Sequence, residues 1–557
     1  MLNLAVTKFL GSCVLAAVIL VTLFVSPWNS IDPVNLPKLS LLGVLAFIAS
    51  AIALSQNKFF MSQQARPILL TTLTFICLLL INLFVNRSDL SFKFYGTPGR
   101  FTGFLAHFSL SLILLVSVLV VSKEVLKKYI FALLGVGALL SLYGVAQWQG
   151  LDFIEYRIIY ASNVTTTLGN PNFQSAFMGM VAAVAVVQVV FSRVSHFLRA
   201  CFLATACLAI LNIGLSSEQG YLNFLSGLLA GLVVFFFMTK RDKVGWSLLC
   251  ISSVGGFVFI LGVFNIGPLA DFLYKSSLQA RGFYWRAALK MLTENPIFGV
   301  GLDGFGDWYR RSRTKEVAQF NAGLVSDTAH SIPLDIASNG GIPLLIAYCA
   351  FIGLALIAIV KVVRRSPEFD LLFTSIIAAW AAYQAQSLIS INQLGLGVWG
   401  WTLTGLLIGY EINTRTATSE AMNKSEKSKK YLAETLPASV ILFAFAGGLI
   451  GLVVSLPPYL AANKFYKALQ SGDGVVIQES AYLKPYDRTR FLYTVQILVE
   501  NKLEKQAIKV LIDASKLYPD HFELWQKWST IPSARPSDIQ KAKAEMKRLD
   551  PFNPDLK

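Results

Sequence analysis

Residues 173–191 read FQSAFMGMVAAVAVVQVVF, nineteen positions without a charged side chain. At 1.5 Å of rise per residue such a run makes a helix of roughly 28 Å, about the thickness of a bilayer's hydrocarbon core. Twelve further apolar runs lie to either side, near 9–25, 38–54, 67–85, 104–122, 129–147, 197–214, 221–238, 245–265, 331–360, 370–389, 394–412 and 436–456. The run 331–360 is expected to be only partly embedded. Of 557 residues, 55% are hydrophobic and 14% charged, a composition that excludes a string of soluble domains. The predicted fold class is an all-α polytopic membrane protein with about 12–13 transmembrane helices. Lys8 ahead of the first run imitates a signal peptide, but we read that run as a retained span.

The formal charge of +16 would suit nucleic acid on a soluble surface. Here it follows the loops, and no nucleic-acid partner is expected. With the N-terminus in the cytoplasm, alternate loops carry Lys58 and Arg66; Lys123, Lys127 and Lys128; Arg193 and Arg199; Lys240, Arg241 and Lys243; and Lys361, Arg364 and Arg365. A charged linker, 413–435, adds Arg415, Lys424, Lys427, Lys429 and Lys430. The opposite short loops hold Arg87, Lys93, Arg100 and Arg157 and little other basic charge. The long loop 266–330 is therefore expected outside the cytoplasm, and so, after an odd number of spans, is the segment beyond Leu456. The six cysteines, Cys13, Cys77, Cys201, Cys207, Cys250 and Cys349, all lie in apolar runs and read as small hydrophobes, with no disulfide framework or zinc site.

Four segments follow: a transmembrane catalytic domain 1–412 with its outer loop 266–330, the linker 413–435, a last span 436–456 and a polar, helix-forming module 457–557. In the module Leu-x-Pro recurs at Leu483/Pro485, Leu517/Pro519 and Leu549/Pro551. That period resembles tetratricopeptide repeats, whose helix pairs stack. The module reads either as a docking surface for a protein partner or acceptor, or as a small helical cap.

Most candidate chemistry lies in the outer loop. Arg281, Arg286 and Lys290 precede the helix stop at Asn295-Pro296, so Arg281 and Arg286 are expected to share roughly one helix face. Guanidinium groups there suit a diphosphate, and an interfacial helix touching anionic headgroups is the other reading. Gly299, Gly301 and Gly304 spell GxGxxG, but they follow a helix rather than a strand, so with Gly306 they read as a tight loop rather than a dinucleotide site. His330, just after Asp327, is the candidate general base. Asp303 and Asp307, four apart, offer a rival, metal-assisted chemistry.

The words YGTPGRFTGF (95–104), GVAQWQGLDF (144–153), TLGNPNF (167–173), RGFYWRAALKMLTENPIFGVGLDGF (281–305) and DTAHS (327–331), in this order and spacing, resemble the O-antigen ligase family of bacterial membrane glycosyltransferases. The resemblance spans about 95–410, and the C-terminal module looks like the tetratricopeptide appendage of some members. It implies a GT-C-like fold and transfer of a glycan from undecaprenyl diphosphate to a lipid, glycan or protein acceptor at the outer face of the bacterial inner membrane, with inversion and without metal or cofactor. Within that picture Arg281 and Arg286 look like diphosphate-binding residues, Arg100 joins the same donor site, and His330 activates the acceptor. Asn170 and Asn172 shape a loop. Many relatives carry Ser-Arg-Gly where this chain has SSEQG, so Gln219 stands in place of an arginine, and His-Asn where this chain has His330-Ser331.

The closest alternatives are an O-antigen-type polymerase and a protein O-oligosaccharyltransferase. A transporter or lipid flippase has a similar number of spans, but it is expected to carry ionisable residues at mid-membrane. Here the mid-helix polar residues are mainly neutral, such as Gln384 and Gln386. A non-catalytic scaffold displaying the module is the remaining reading.

Overall fold

The computed structural model describes residues 4–26, 31–55, 62–85, 89–152, 154, 164–273, 276–421 and 436–556. Lys58, Arg87, Arg157 and the linker residues Lys424, Lys427, Lys429 and Lys430 lie outside them. Every regular element described is helical. In chain order they are α1 (Leu4–Leu23), α2 (Asn35–Leu54), α3 (Arg66–Val85), α4 (Leu90–Tyr95), α5 (Phe104–Leu119), α6 (Lys123–Trp148), α7 (Pro171–Phe191), α8 (His196–Ser216), α9 (Gln219–Met238), α10 (Asp242–Val263), α11 (Ala270–Leu273) and α12 (Ser276–Glu294). Then follow α13 (Phe305–Ser312), α14 (Lys315–Phe320), α15 (Ile332–Arg365), α16 (Leu371–Ile389), α17 (Leu394–Ala421) and α18 (Ala438–Ser455). The module comprises α19 (Pro457–Ser471), α20 (Gly474–Ala481), α21 (Arg488–Glu500), α22 (Glu504–Leu517), α23 (Phe522–Ser529) and α24 (Pro536–Leu549).

Each of the thirteen expected spans is a helix. Among the described residues, ten are long and apolar enough to cross a membrane, and α5, α16 and α17 are the other three. The reason lies in packing. α5 has only 16 residues, while α17 is buried at every position from Leu394 to Ile412 and α16 through most of its length. Helices enclosed by protein need no lipid-facing apolar surface and tolerate Gln386, Thr402 and Thr404 inside. The opposite extreme is α10, of which only 6% of the apolar window is buried. It stands at the rim.

α7 lies at the centre, packed against α8, α9 and α16. Asn170 caps its N-terminus by accepting from the Asn172 amide at 2.8 Å, and Pro171 opens the helix. Asn172 in turn accepts from Ser217 at 2.7 Å, so both asparagines shape the loop. The last span, α18, packs on α2 through Gly447 and Gly451, where a Cβ would meet the Phe47 carbonyl at 2.6 Å and the Val44 Cα at 2.7 Å. Small residues four apart let two membrane helices approach closely. Lys38, in the first turn of α2, donates to the carbonyls of Val21, Thr22 and Phe24 at the end of α1. Its three donations satisfy carbonyls at a helix terminus.

The helix α15 is broken. Gly341 has φ 78° and ψ 179°, with Pro343 two residues on, so the helix cannot bond through this point. The freed backbone groups find partners in the glycine loop: Val300 and Gly301 donate to Ser338 and Asn339, and Ile342 donates to Pro296. GxGxxG is thus a tight loop bonded to the helix break. Gly299, at φ 61°, brings its backbone against the Ser338 carbonyl where any side chain would collide.

The module and the long loop lie at the same end of the helix bundle. In the module each helix packs on the next, and α22 and α24 stop just before Pro519 and Pro551. Its apolar core takes in Phe92 from α4.

Candidate active site

Three loop segments converge at this end. The first, residues 96–102, is tied to the glycine loop by Asp303, whose carboxylate accepts from the Thr97 amide and, at 3.0 Å, from the Thr102 hydroxyl. Burial raises the Asp303 carboxyl, against the lowering effect of these hydrogen bonds. The second segment, 326–330, meets the first through Arg100, whose Nε and Nη2 donate to Asp327 at 3.0 and 3.1 Å. This fork is the geometry a guanidinium offers a carboxylate. The third is α12, which brings Arg281, Tyr284 and Arg286.

His330 sits three residues after Asp327 in a left-handed conformation, φ 52°. Its imidazole lies 5.3 Å from the Tyr284 ring at 30°. Burial, then the Arg281 and Arg100 charges, push its pKa down to about 3, with Asp327 acting the other way. The imidazole is neutral at physiological pH, with its basicity depressed. Burial works to raise Asp327, but the charge and hydrogen bonds of Arg100 hold it below the usual carboxylate range.

Arg281 is buried, and its Nη2 donates to Gln219 Oε1 at 2.9 Å. Burial lowers its pKa to about 10, which leaves it charged. Gln219 Nε2 is a buried donor with no protein acceptor. The structure thus pairs two expected donor-site residues and sets Arg281 close enough to His330 to depress its basicity. Arg286 goes elsewhere: its Nη2 donates to the Phe264 carbonyl at 2.8 Å, at the C-terminal end of α10. Five residues along a helix is about 140° of rotation, so the expected shared face with Arg281 does not form.

Asp303 and Asp307 also part. Asp307 receives Arg488 of the module at 2.6 Å and contacts His521 at 3.4 Å. Among the described residues no group of three or more His, Cys, Asp or Glu side chains is arranged to hold a metal.

A cavity of about 460 Å³ opens beside His330, with Arg100, Tyr284, Asp327 and Arg310 on its walls. A second, of about 330 Å³, lies on the other side of Arg100 and reaches Asn170 and Asn35. Arg281, Gln219 and Arg286 line neither. Sequence reasoning missed Tyr284, although it lies one helical turn from Arg281, and it gave Asp327 no partner. It also missed the module's contribution to the cavity, for which the sequence carries no local signal.

No curated protein matches this chain. The sequence model of the family described as O-antigen ligase matches residues 203–349, from within α8 to the middle of α15. That stretch includes Gln219, Arg281, Arg286, Asp327 and His330, while Arg100 and the module lie outside it. Over the segment that supplies most of this site, the chain is similar to the O-antigen ligase family of glycosyl-transfer enzymes.

Proposed function

We propose that this chain transfers a glycan from undecaprenyl diphosphate to an acceptor hydroxyl by a single inverting displacement that needs no metal. The observation that carries the reading is a neutral, buried His330 on the wall of a cavity that also holds Arg100, with Arg281 nearby. The acceptor oxygen attacks the anomeric carbon and gives its proton to an imidazole nitrogen of His330. The bond from that carbon to the diphosphate breaks, and the departing oxygen keeps the electron pair. Arg281 and Arg100 offset the charge left on the diphosphate, and Gln219 Nε2 supplies a further donor to it. Arg286 joins them only if it leaves Phe264. As the anionic donor binds, the two arginines weigh less on His330 and its basicity rises.

The helix ends near Lys123, Arg193, Lys240 and Arg364 lie opposite the site, which supports a site on the outer face of a bacterial inner membrane. The first test is transfer by the purified full chain from an undecaprenyl-diphosphate glycan, with and without chelator. Wild-type transfer should survive the chelator, and His330→Ala and Arg281→Ala should abolish it in folded protein. Transfer that persists in both variants refutes the site; transfer lost with the chelator refutes the metal-free mechanism.

A further inference from the structure

The wall of the His330 cavity that faces the membrane domain comes from the module. α21 supplies Thr489 and Leu492, and the start of α23 supplies His521 and Glu523. This wall is fixed in place. Arg488 meets Asp307 at 2.6 Å, Arg310 meets Glu523 at 3.4 Å, and Arg313 meets Asp550 at 2.7 Å with both side chains fully buried.

The chemistry of the wall is selective. On the module side of the cavity each arginine has a carboxylate partner: Arg310 with Glu523, and Arg488 with Asp307. Charges matched in this way leave little net field for an anion along that wall, yet their outer lone pairs and N–H groups still take hydrogen bonds. The Thr489 hydroxyl adds a donor and an acceptor. The Phe522 ring, which would anchor a peptide or acyl chain, is buried under the Arg310 guanidinium at 4.1 Å. The cavity also falls within the roughly 300–1,000 Å³ typical of small-molecule sites.

We propose that the C-terminal module is the acceptor-binding half of this site, and that Thr489, His521 and Glu523 hold an uncharged, hydroxyl-rich glycan with its attacking oxygen at His330. This rests on the transfer reading above and names the acceptor class. The module then acts inside the reaction rather than as a separate docking platform.

The test measures binding, not turnover, on the full chain in lipid nanodiscs. The probes are labelled pools of neutral oligosaccharides two to five sugars long, anionic oligosaccharides and a serine-rich peptide, and in parallel a labelled undecaprenyl-diphosphate glycan. Neutral oligosaccharide should bind the wild type, and Glu523→Gln and Thr489→Val should each weaken it about tenfold while donor affinity stays within about twofold. Thr489→Val touches none of the ion pairs, so it reports on the wall even if Glu523→Gln loosens the module. Preference for the anionic pool or the peptide overturns the inference, as does neutral binding indifferent to both substitutions. Donor binding without neutral-oligosaccharide binding defeats this inference alone; absence of donor binding defeats the transfer reading beneath it.

Discussion

Replacing Asp550 with asparagine should release the module from the loop. Asp550 is fully buried and takes both carboxylate oxygens to Arg313 Nη2, at 2.9 and 2.7 Å, with Arg310 Nη1 at 3.3 Å. Arg313 is itself fully buried, and its Nη1 reaches the Ala322 and Leu324 carbonyls. Removing one partner of a buried pair costs about 3–5 kcal/mol, because the other charge is left without compensation. Here the two carbonyls and the asparagine oxygen still serve Arg313, so the lower end applies, about 3 kcal/mol. At about 1.4 kcal/mol per decade this is a shift of more than a hundredfold in the docking equilibrium. Hydrogen exchange should show it as faster exchange of the α24 and 313–324 amides, with α7 and α16 unchanged. A buried pair exchanged for apolar residues loses little, so Arg313→Met with Asp550→Leu should recover most of the protection. Wild-type exchange in Asp550→Asn would refute the view that this pair holds the module.

With His330 pushed down to about 3, kcat/KM, which reports the free enzyme, should show no acid limb near the ordinary imidazole value of about 6.5. A limb there in the wild type refutes the depressed basicity of His330. The same depressed pKa means the unfolded chain takes up the proton first as pH falls, so the stability this neutral imidazole lends is full above about 6.5 and is lost toward about 3; acid unfolding monitored by tryptophan fluorescence should be shallower in His330→Gln. Arg281→Met should weaken binding of labelled donor at least about tenfold, and Arg286→Met less, since its guanidinium is engaged at Phe264; the reverse order in a donor-binding titration would place Arg286 at the diphosphate. Gly299→Ala forces a side chain into a left-handed backbone against the Ser338 carbonyl, a cost of at least about 1–2 kcal/mol, and should lower the melting temperature in a thermal shift assay.

The spans were legible because a bilayer demands one thing of a helix that crosses it, and a run such as 173–191 meets it without reference to the rest of the chain. The break at Gly341 was not read from the run 331–360, nor did the sequence say that the glycine loop would bond to it. The site was only half legible. Arg281 and His330 stood out by residue type and Gln219 only through the family resemblance, but their grouping depends on contacts such as Arg100 with Asp327, 227 residues apart, for which one sequence carries no signal. Arg286 shows the reverse error: its five-residue spacing from Arg281 already placed it on another face. The module's place in the cavity wall was hidden because its ion pairs connect charges that, read singly, look like ordinary surface residues.

Asp307 and Arg488 are 181 positions apart. At the roughly 5–20 residues per second of synthesis, Asp307 waits on the order of 10–40 s for that partner, while α15 to α18 are still being threaded into the bilayer. Until then the cavity beside His330 lacks its second wall. A chain released early, at any point before α21, would leave a membrane domain without the cavity wall that carries Thr489, His521 and Glu523. On the acceptor role proposed for the module, assembly order alone would keep such a truncated product idle.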